Sequence, residues 1–504
     1  MRSNTRVVLG RIAAIVVASL VGLSSAARAE VTYTETDDNL AVVRLTVTPA
    51  AEPTPAFKHR FAARDIDLVP GNAVPFYARA ITELARTESR VRAKYGDEFD
   101  GWYSTGPDEP TLAELPLDKV RAASQEFDWL IDVHLSVATA RRDCDWGLGI
   151  EEVRGPELIS FQLPELQESR GLARALILRI RLALAEKRYD DAIAAMRMNY
   201  RLGRDVSQPP NLVCGLVGIA IASQTNGTML ELMAAPESPN LYWALAELPQ
   251  PLIDLRGAVR VEIDFGPRLF PFIHHAESTD RSPEEWNRQF AQVAVADLST
   301  VGDFGVAGLN DRGAGLAATG LALLGYTHAK QQLIAQGMDA AQVEQMAVGQ
   351  VIAVYTERNY LQFANEFEKL WYVPFWEMRD RQRAVDRRLS RADPFHGGED
   401  REVLPIVQVL IPAMQAVRGA QVRLERDVAA LCVIEALRMY AAGHAGGLPA
   451  TLDEIREVPV PHNPATGQPF VYRLDGRTAI LELPKSDGIP GYYRRFEIKI
   501  VSTE

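Results

Sequence analysis

Cysteine is scarce: Cys144, Cys214 and Cys432 are the only three in 504 residues. Their spacing excludes a zinc cluster and a c-type haem motif, and an odd number leaves at least one thiol unpaired. Cys214 and Cys432 stand in apolar helical runs, where a thiol behaves as a small buried hydrophobe. Basic charge is also short. The formal net charge is −12, and the first 29 residues hold four arginines and no acid, leaving 50 basic against 66 acidic residues in the remainder, or −16. Such a chain lacks the lysine and arginine excess that neutralises nucleic-acid phosphate or anionic lipid, so no nucleic acid is expected as a partner. The charge mainly promotes solubility. Strong catalytic motifs are missing too. There is no G-x-S-x-G elbow, H-E-x-x-H helix, Walker loop, Rossmann glycine fingerprint or EF-hand loop. These absences weigh against the common enzyme classes, leave an unusual one open, and imply neither a metal nor a cofactor.

What is present begins at the N-terminus. Arg2, Arg6 and Arg11 precede an apolar run from Ile12 to Leu23, and small residues lead to Ala27-Arg28-Ala29. A basic start, a short apolar stretch and an A-x-A site form a secretory leader, with cleavage expected before Glu30. The apolar run is shorter than the roughly 20 residues that a membrane helix needs. No cysteine lies near the cleavage point, which argues against a lipid anchor. The most apolar later stretch, Gly315 to Tyr326, is short and glycine-rich. The expectation is therefore an exported chain, periplasmic or extracellular, with no integral membrane segment after cleavage.

The fold class expected is mainly α, built of antiparallel helical hairpins. Residues 30–56 read as one N-terminal strand, Val42 to Val47, followed by a Pro/Ala linker. Residues 57–300 read as the helical-hairpin domain. Its clearest signal is Leu172, Leu176, Ile180 and Leu184 on one helix face, a polar Glu186-Lys187-Arg188 turn, then Tyr189, Ala192, Ile193, Met196 and Tyr200 on a second. Two such helices with a short joint make an antiparallel hairpin, locally like a tetratricopeptide unit. No steady period repeats it, and a true repeat array needs about three units. Further helices are expected at 212–233, 251–264, 283–298, 316–336, 341–375 and 402–440. The glycine-rich 301–315 reads as a loop, and 316–440 as a long-helix region. Residues 441–504 read as a small C-terminal α+β module, in which the end of a long helix carries a short antiparallel sheet turned at Asp475-Gly476.

Two resemblances stand beside this reading. Cys144-Asp145-Trp146-Gly147, the hairpin from Gly171 to Arg204, Pro239-Asn240-Leu241-Tyr242-Trp243-Ala244-Leu245 and the stretch from Pro249 to Arg256 carry the first. On them the middle of the chain resembles a family of exported bacterial helical proteins with no assigned activity. The likeness implies export and a helical fold. Leu437-x-x-Tyr440, Leu448-Pro449-x-x-Leu452 and Asn463-Pro464-x-Thr466-Gly467-x-Pro469-Phe470-x-Tyr472 carry the second. That stretch looks like the globular end of type II secretion pseudopilins. The chain departs from that pattern in lacking the prepilin methylation motif and N-terminal anchor helix, and in having Asn463 where an Asp is usual. A shared fold is implied there, and pilus assembly is not.

Several clusters carry polar chemistry. Asp143, Asp145 and Trp146, around Cys144, could form a ligand-contact loop, or equally a structural one with Trp146 plugging the core. Adjacent acids do not lower a thiol's pKa, so Cys144 is a poor nucleophile. Tyr242 and Trp243, with Asp254 and Arg256 beyond a proline joint, could contact a ligand or partner, although core packing and a helix cap are the plainer roles. His274, His275 and Glu277 are the best acid–base or metal candidates, but neighbouring side chains diverge and a zinc site needs three or four converging ligands. Phe363, Phe367, Trp371 and Phe375 fall four apart, as a core stripe does. The functional expectation is a noncatalytic helical scaffold or binding protein of the bacterial envelope, using a concave surface between hairpins to hold a protein or peptide. One alternative is an exported hydrolase that gathers Asp143, Asp145, His274, His275 or Glu277 in one pocket. Another is a secretion-apparatus accessory protein, in which removal of residues after Leu437 should leave the helical part folded.

Overall fold

The computed structural model describes residues 30–35, 40–150, 152–154, 163–278, 280–300, 320, 325–389, 402, 406–486, 489 and 493–501. The leader at 1–29 and the loop expected at 301–315 lie outside the described residues. The chain is mainly helical, with one small mixed sheet of five strands and a two-stranded ribbon.

Helix α1, Val74–Tyr95, takes Pro75 in its first turn, where the missing N–H costs nothing, and buries Tyr77, Ala80, Leu84 and Val91 at helical spacing. Helix α2 is Leu117–Glu126. The hairpin follows as α3, Pro164–Ala185, and α4, Tyr189–Val206, joined through Lys187 at φ +59°. Asp190 and Asp191 sit in the first turn of α4, where carboxylates favour the helix dipole. Helix α5, Leu212–Met233, starts at an Asn211 cap whose side-chain oxygen accepts from the Val213 amide at 2.8 Å. Then come α6, Arg256–Ile263; α7, Pro283–Thr300; α8, Val348–Glu368; α9, Phe375–Leu389; and the 38-residue α10, Ile406–Gly443. Helix α4 packs on α3 and α5, and α5 in turn packs on α10. The α4–α5 approach is close enough that a Cβ on Gly218 would sit 2.5 Å from the Gly203 carbonyl oxygen.

In the sheet the strands run β1 (Glu30–Glu35), β2 (Ala41–Val47), β7 (Arg494–Ile500), β6 (Thr478–Leu483), β5 (Val471–Asp475). The ribbon pairs β3, Val69–Asn72, with β4, Arg141–Asp143. Two expectations need correction. The N-terminal segment forms two strands where one was expected. The sheet is mixed, because β2 lies parallel to β7 with Val43 opposite Phe496 and Leu45 opposite Ile498. The reason is burial: Val43, Leu45 and Val47 form an apolar row that one hairpin cannot cover, and it joins the row of Phe496, Ile498 and Ile500. The central strand is thus C-terminal, flanked by β2 and β6. Cutting the chain after Leu437 would remove three of these five strands, β5, β6 and β7.

Three smaller differences follow from local chemistry. The helix expected over 251–264 forms only from Arg256, whose amide donates to the Asp254 carboxylate just before it. The one expected over 341–375 is broken into Ala340–Gln345, α8 and a short turn before Pro374. No membrane-spanning segment is expected after the leader, yet Leu212–Met233 is long and apolar enough to cross a membrane by length and composition; here α5 is mostly buried among other helices. Phe363, Phe367, Trp371 and Phe375 are buried, and the three thiols are unpaired, with Cys214 and Cys432 in the core.

Candidate functional site

The loop after β4 closes over the C-terminal end of α4. Asn72 clamps it from α1's entry, donating to the Asp145 carbonyl at 2.8 Å and accepting the Asp145 amide at 3.0 Å. The Asp145 carboxylate accepts the Gly147 amide at 2.9 Å, so it shapes the turn. Asp143 is exposed, and its carbonyl accepts the Ala73 amide. Trp146 lies parallel to Tyr77, ring centroids 5.9 Å apart, and donates its indole N–H to the Asp205 carbonyl at 2.8 Å. Asp205 is the hub: its carboxylate accepts from the Tyr77 hydroxyl at 2.8 Å and pairs with Arg201 at 2.8 Å. Burial raises the Asp205 carboxyl above its ordinary range, with Arg201 opposing the shift. Burial, and then Asp205, also push the Cys144 thiol well up, which removes it as a nucleophile.

The other expected residues also serve internal contacts. Tyr242 is buried and donates its hydroxyl to the Pro459 carbonyl; Trp243 donates to Glu52 at 2.5 Å and packs edge-on against Tyr242. They fasten the N-terminal segment and the C-terminal loop to the helices. Asp254 and Arg256 are exposed and pair with each other at 2.6 Å. His274 and His275 are exposed, while Glu277 pairs with Arg358 of α8 at 2.6 Å. Glu357 accepts the His275 and Ala276 amides, 3.0 Å each. The structure therefore gives Asp143 and Asp145 to the α1–α4 end, and His274, His275 and Glu277 to α8. They share no partner, and among the described residues no three His, Cys, Asp or Glu side chains are grouped to hold a metal ion.

Cavities lie elsewhere. A groove of about 330 Å³ runs beside the edge strand β1, lined by Val31, Tyr33, Pro110, Leu112, Ala234 and Pro236, among others. A neighbouring space of about 440 Å³ shares Tyr33, Thr105 and Gly106 with it. The Tyr33 hydroxyl is buried and, among the described residues, has no hydrogen-bond partner. Burial, followed by the charge of Glu231, raises its pKa, so it stays a donor at any ordinary pH. Arg181, on α3, holds the far wall. Fully buried, it pairs with Glu231 at 3.0 Å and donates to the carbonyls of Gly101, Trp102, Ser104 and Pro110. A third cavity, about 320 Å³, opens over α4 and is lined by Arg60, Arg197, Arg201 and Arg204 with Phe61 and Met198.

Sequence reasoning missed both Tyr33 and the arginines. The α4 signal was legible as Arg197-x-x-x-Arg201-x-x-Arg204, a stripe on one helix face. The Tyr33 signal was not, because β1 becomes an edge only once β2 pairs with a strand more than 400 residues away. No family model, no curated protein and no solved structure matches the chain.

Proposed function

We propose that this is an exported, noncatalytic binding protein of the bacterial envelope whose groove at β1 holds an extended segment of a partner protein. One observation carries the reading: an edge strand, an apolar groove and an unsatisfied buried hydroxyl occur together. An edge strand offers a row of open backbone donors and acceptors, and an added strand would satisfy them. The apolar lining then accepts alternate side chains of that strand. The Tyr33 hydroxyl supplies a donor for a main-chain carbonyl.

On the same reading α3 and α4 act as one tetratricopeptide-like unit, and the end of α10 with β5, β6 and β7 as a small α+β module. Both are frame, and the binding surface lies between sheet and helix ends instead of between stacked hairpins. Ala113 is exposed and lines the groove, so it can carry a photoreactive side chain without loss of buried contacts. Irradiation in the native envelope should join residue 113 to one partner protein, and mass spectrometry should find the linked segment extended and apolar at alternate positions. A folded protein that crosslinks to nothing at 113 would sink the proposal.

A further inference from the structure

The cavity over α4 holds charge that the fold does not use. Arg60 pairs with Glu247 at 2.5 Å, and Arg201 is committed to Asp205 and to the carbonyls of Arg141 and Arg142. Asp67 also lines the space, but Arg64 holds it with two bonds of 2.7 Å. That leaves Arg197, which is exposed, and Arg204, which is half-buried; among the described residues neither has an ion-pair partner. Asp67 and Asp205 act on these two groups only through space, so on a chain of net charge −12 the cavity gathers two guanidinium groups outside any ion pair.

Arg204 is the telling one. Burial and then the neighbouring Arg201 disfavour its charged form, and Asp205 offsets them only in part. A partly desolvated cation beside a like charge is costly unless something supplies the counter-charge. Apolar side chains share the wall around it: Phe61, Leu68, Met198 and Leu248, beside Ser136 and Thr139. At about 320 Å³ the space is at the lower end of small-molecule sites.

We propose that this cavity binds a small organic dianion, such as a phosphate monoester or a dicarboxylate on a short apolar body, with Arg204 and Arg197 gripping the charge. Guanidinium forks match both headgroups, and bidentate charge-assisted bonds are the strong kind. The site shares no lining residue with the β1 groove, so its failure would leave the peptide reading untouched, and the reverse.

Calorimetric titration of the mature protein with phenyl phosphate and with phthalate tests it, with phenol and inorganic phosphate as controls. At least one dianion should bind saturably, phenol should not bind, and inorganic phosphate should bind more weakly. Arg204→Met should weaken binding about tenfold or more, and Arg197→Gln by less, because the exposed group gives up a smaller desolvated contact. On the wild-type chain, bound phenyl phosphate should slow phenylglyoxal modification of Arg204, a readout that needs no variant. Absence of saturable binding by both dianions would overturn the proposal. So would unchanged affinity in a folded Arg204→Met protein, or modification of Arg204 that the ligand does not slow.

Discussion

The two helices of one hairpin treat arginine in opposite ways. On α3, Arg181 is buried with every side of its guanidinium engaged, by Glu231 and by four backbone carbonyls of the 101–110 segment. On α4, Arg204 is half-buried, forms no ion pair among the described residues, and lines a cavity. The first arginine is part of the scaffold: it ties a long loop to the helices and so builds the wall of the β1 groove. The second makes no such ties among the described residues. Arg438 belongs with the first kind, fully buried against Glu435 while donating to the Thr48 carbonyl, so that it pins the N-terminal segment to α10. Burial alone does not mark a site; burial without an internal partner does.

Breaking the scaffold arginine should have the largest effect. Arg181→Met strands the Glu231 carboxylate and four carbonyls, and removing one partner of a buried pair costs roughly 3–5 kcal/mol. Denaturant unfolding should show that loss, and adding Glu231→Leu should recover only the part due to the carboxylate. Next in size is Gly218→Ala, whose Cβ would lie 2.5 Å from the Gly203 carbonyl oxygen and force α4 and α5 apart, at about 1–3 kcal/mol.

Asp205 tests the α4 end by pH. Because burial raises its folded pKa, its carboxyl stabilises the fold fully below the ordinary 3.8, and that contribution is lost as pH rises through the raised value. Thermal unfolding of Asp205→Asn should therefore fall less steeply than wild type as pH climbs from 3.8. A steeper fall would mean that the Arg201 pair, not burial, governs the site. Arg204→Met should change stability least, within about 0.5 kcal/mol of wild type, while it weakens dianion binding. Loss of stability comparable to that of Arg181→Met would erase the contrast between the helices.

Much of the frame was legible in the chain. The Leu172 to Leu184 stripe, the polar turn and the Tyr189 to Tyr200 stripe give α3 and α4, because local helical periodicity needs no distant partner. The Asp475-Gly476 turn joins β5 to β6 for the same reason. What local pattern cannot carry is pairing across the whole chain, such as β2 beside β7, and so neither the mixed sheet nor its edge was visible. The site residues divide likewise. Asp145, Trp146, Tyr242 and Trp243 caught attention as dense polar and aromatic clusters, and such clusters here knit loops to helices. Tyr33 and Arg204 look ordinary in sequence; their meaning comes from the partners they lack.

Hydrogen–deuterium exchange over residues 30–35, with and without the crosslinked partner segment, tests the central claim most directly. Amides of β1 not bonded to β2 should exchange freely in the isolated protein and become protected when the segment is bound. Protection that appears on another surface, with β1 unchanged, would contradict it.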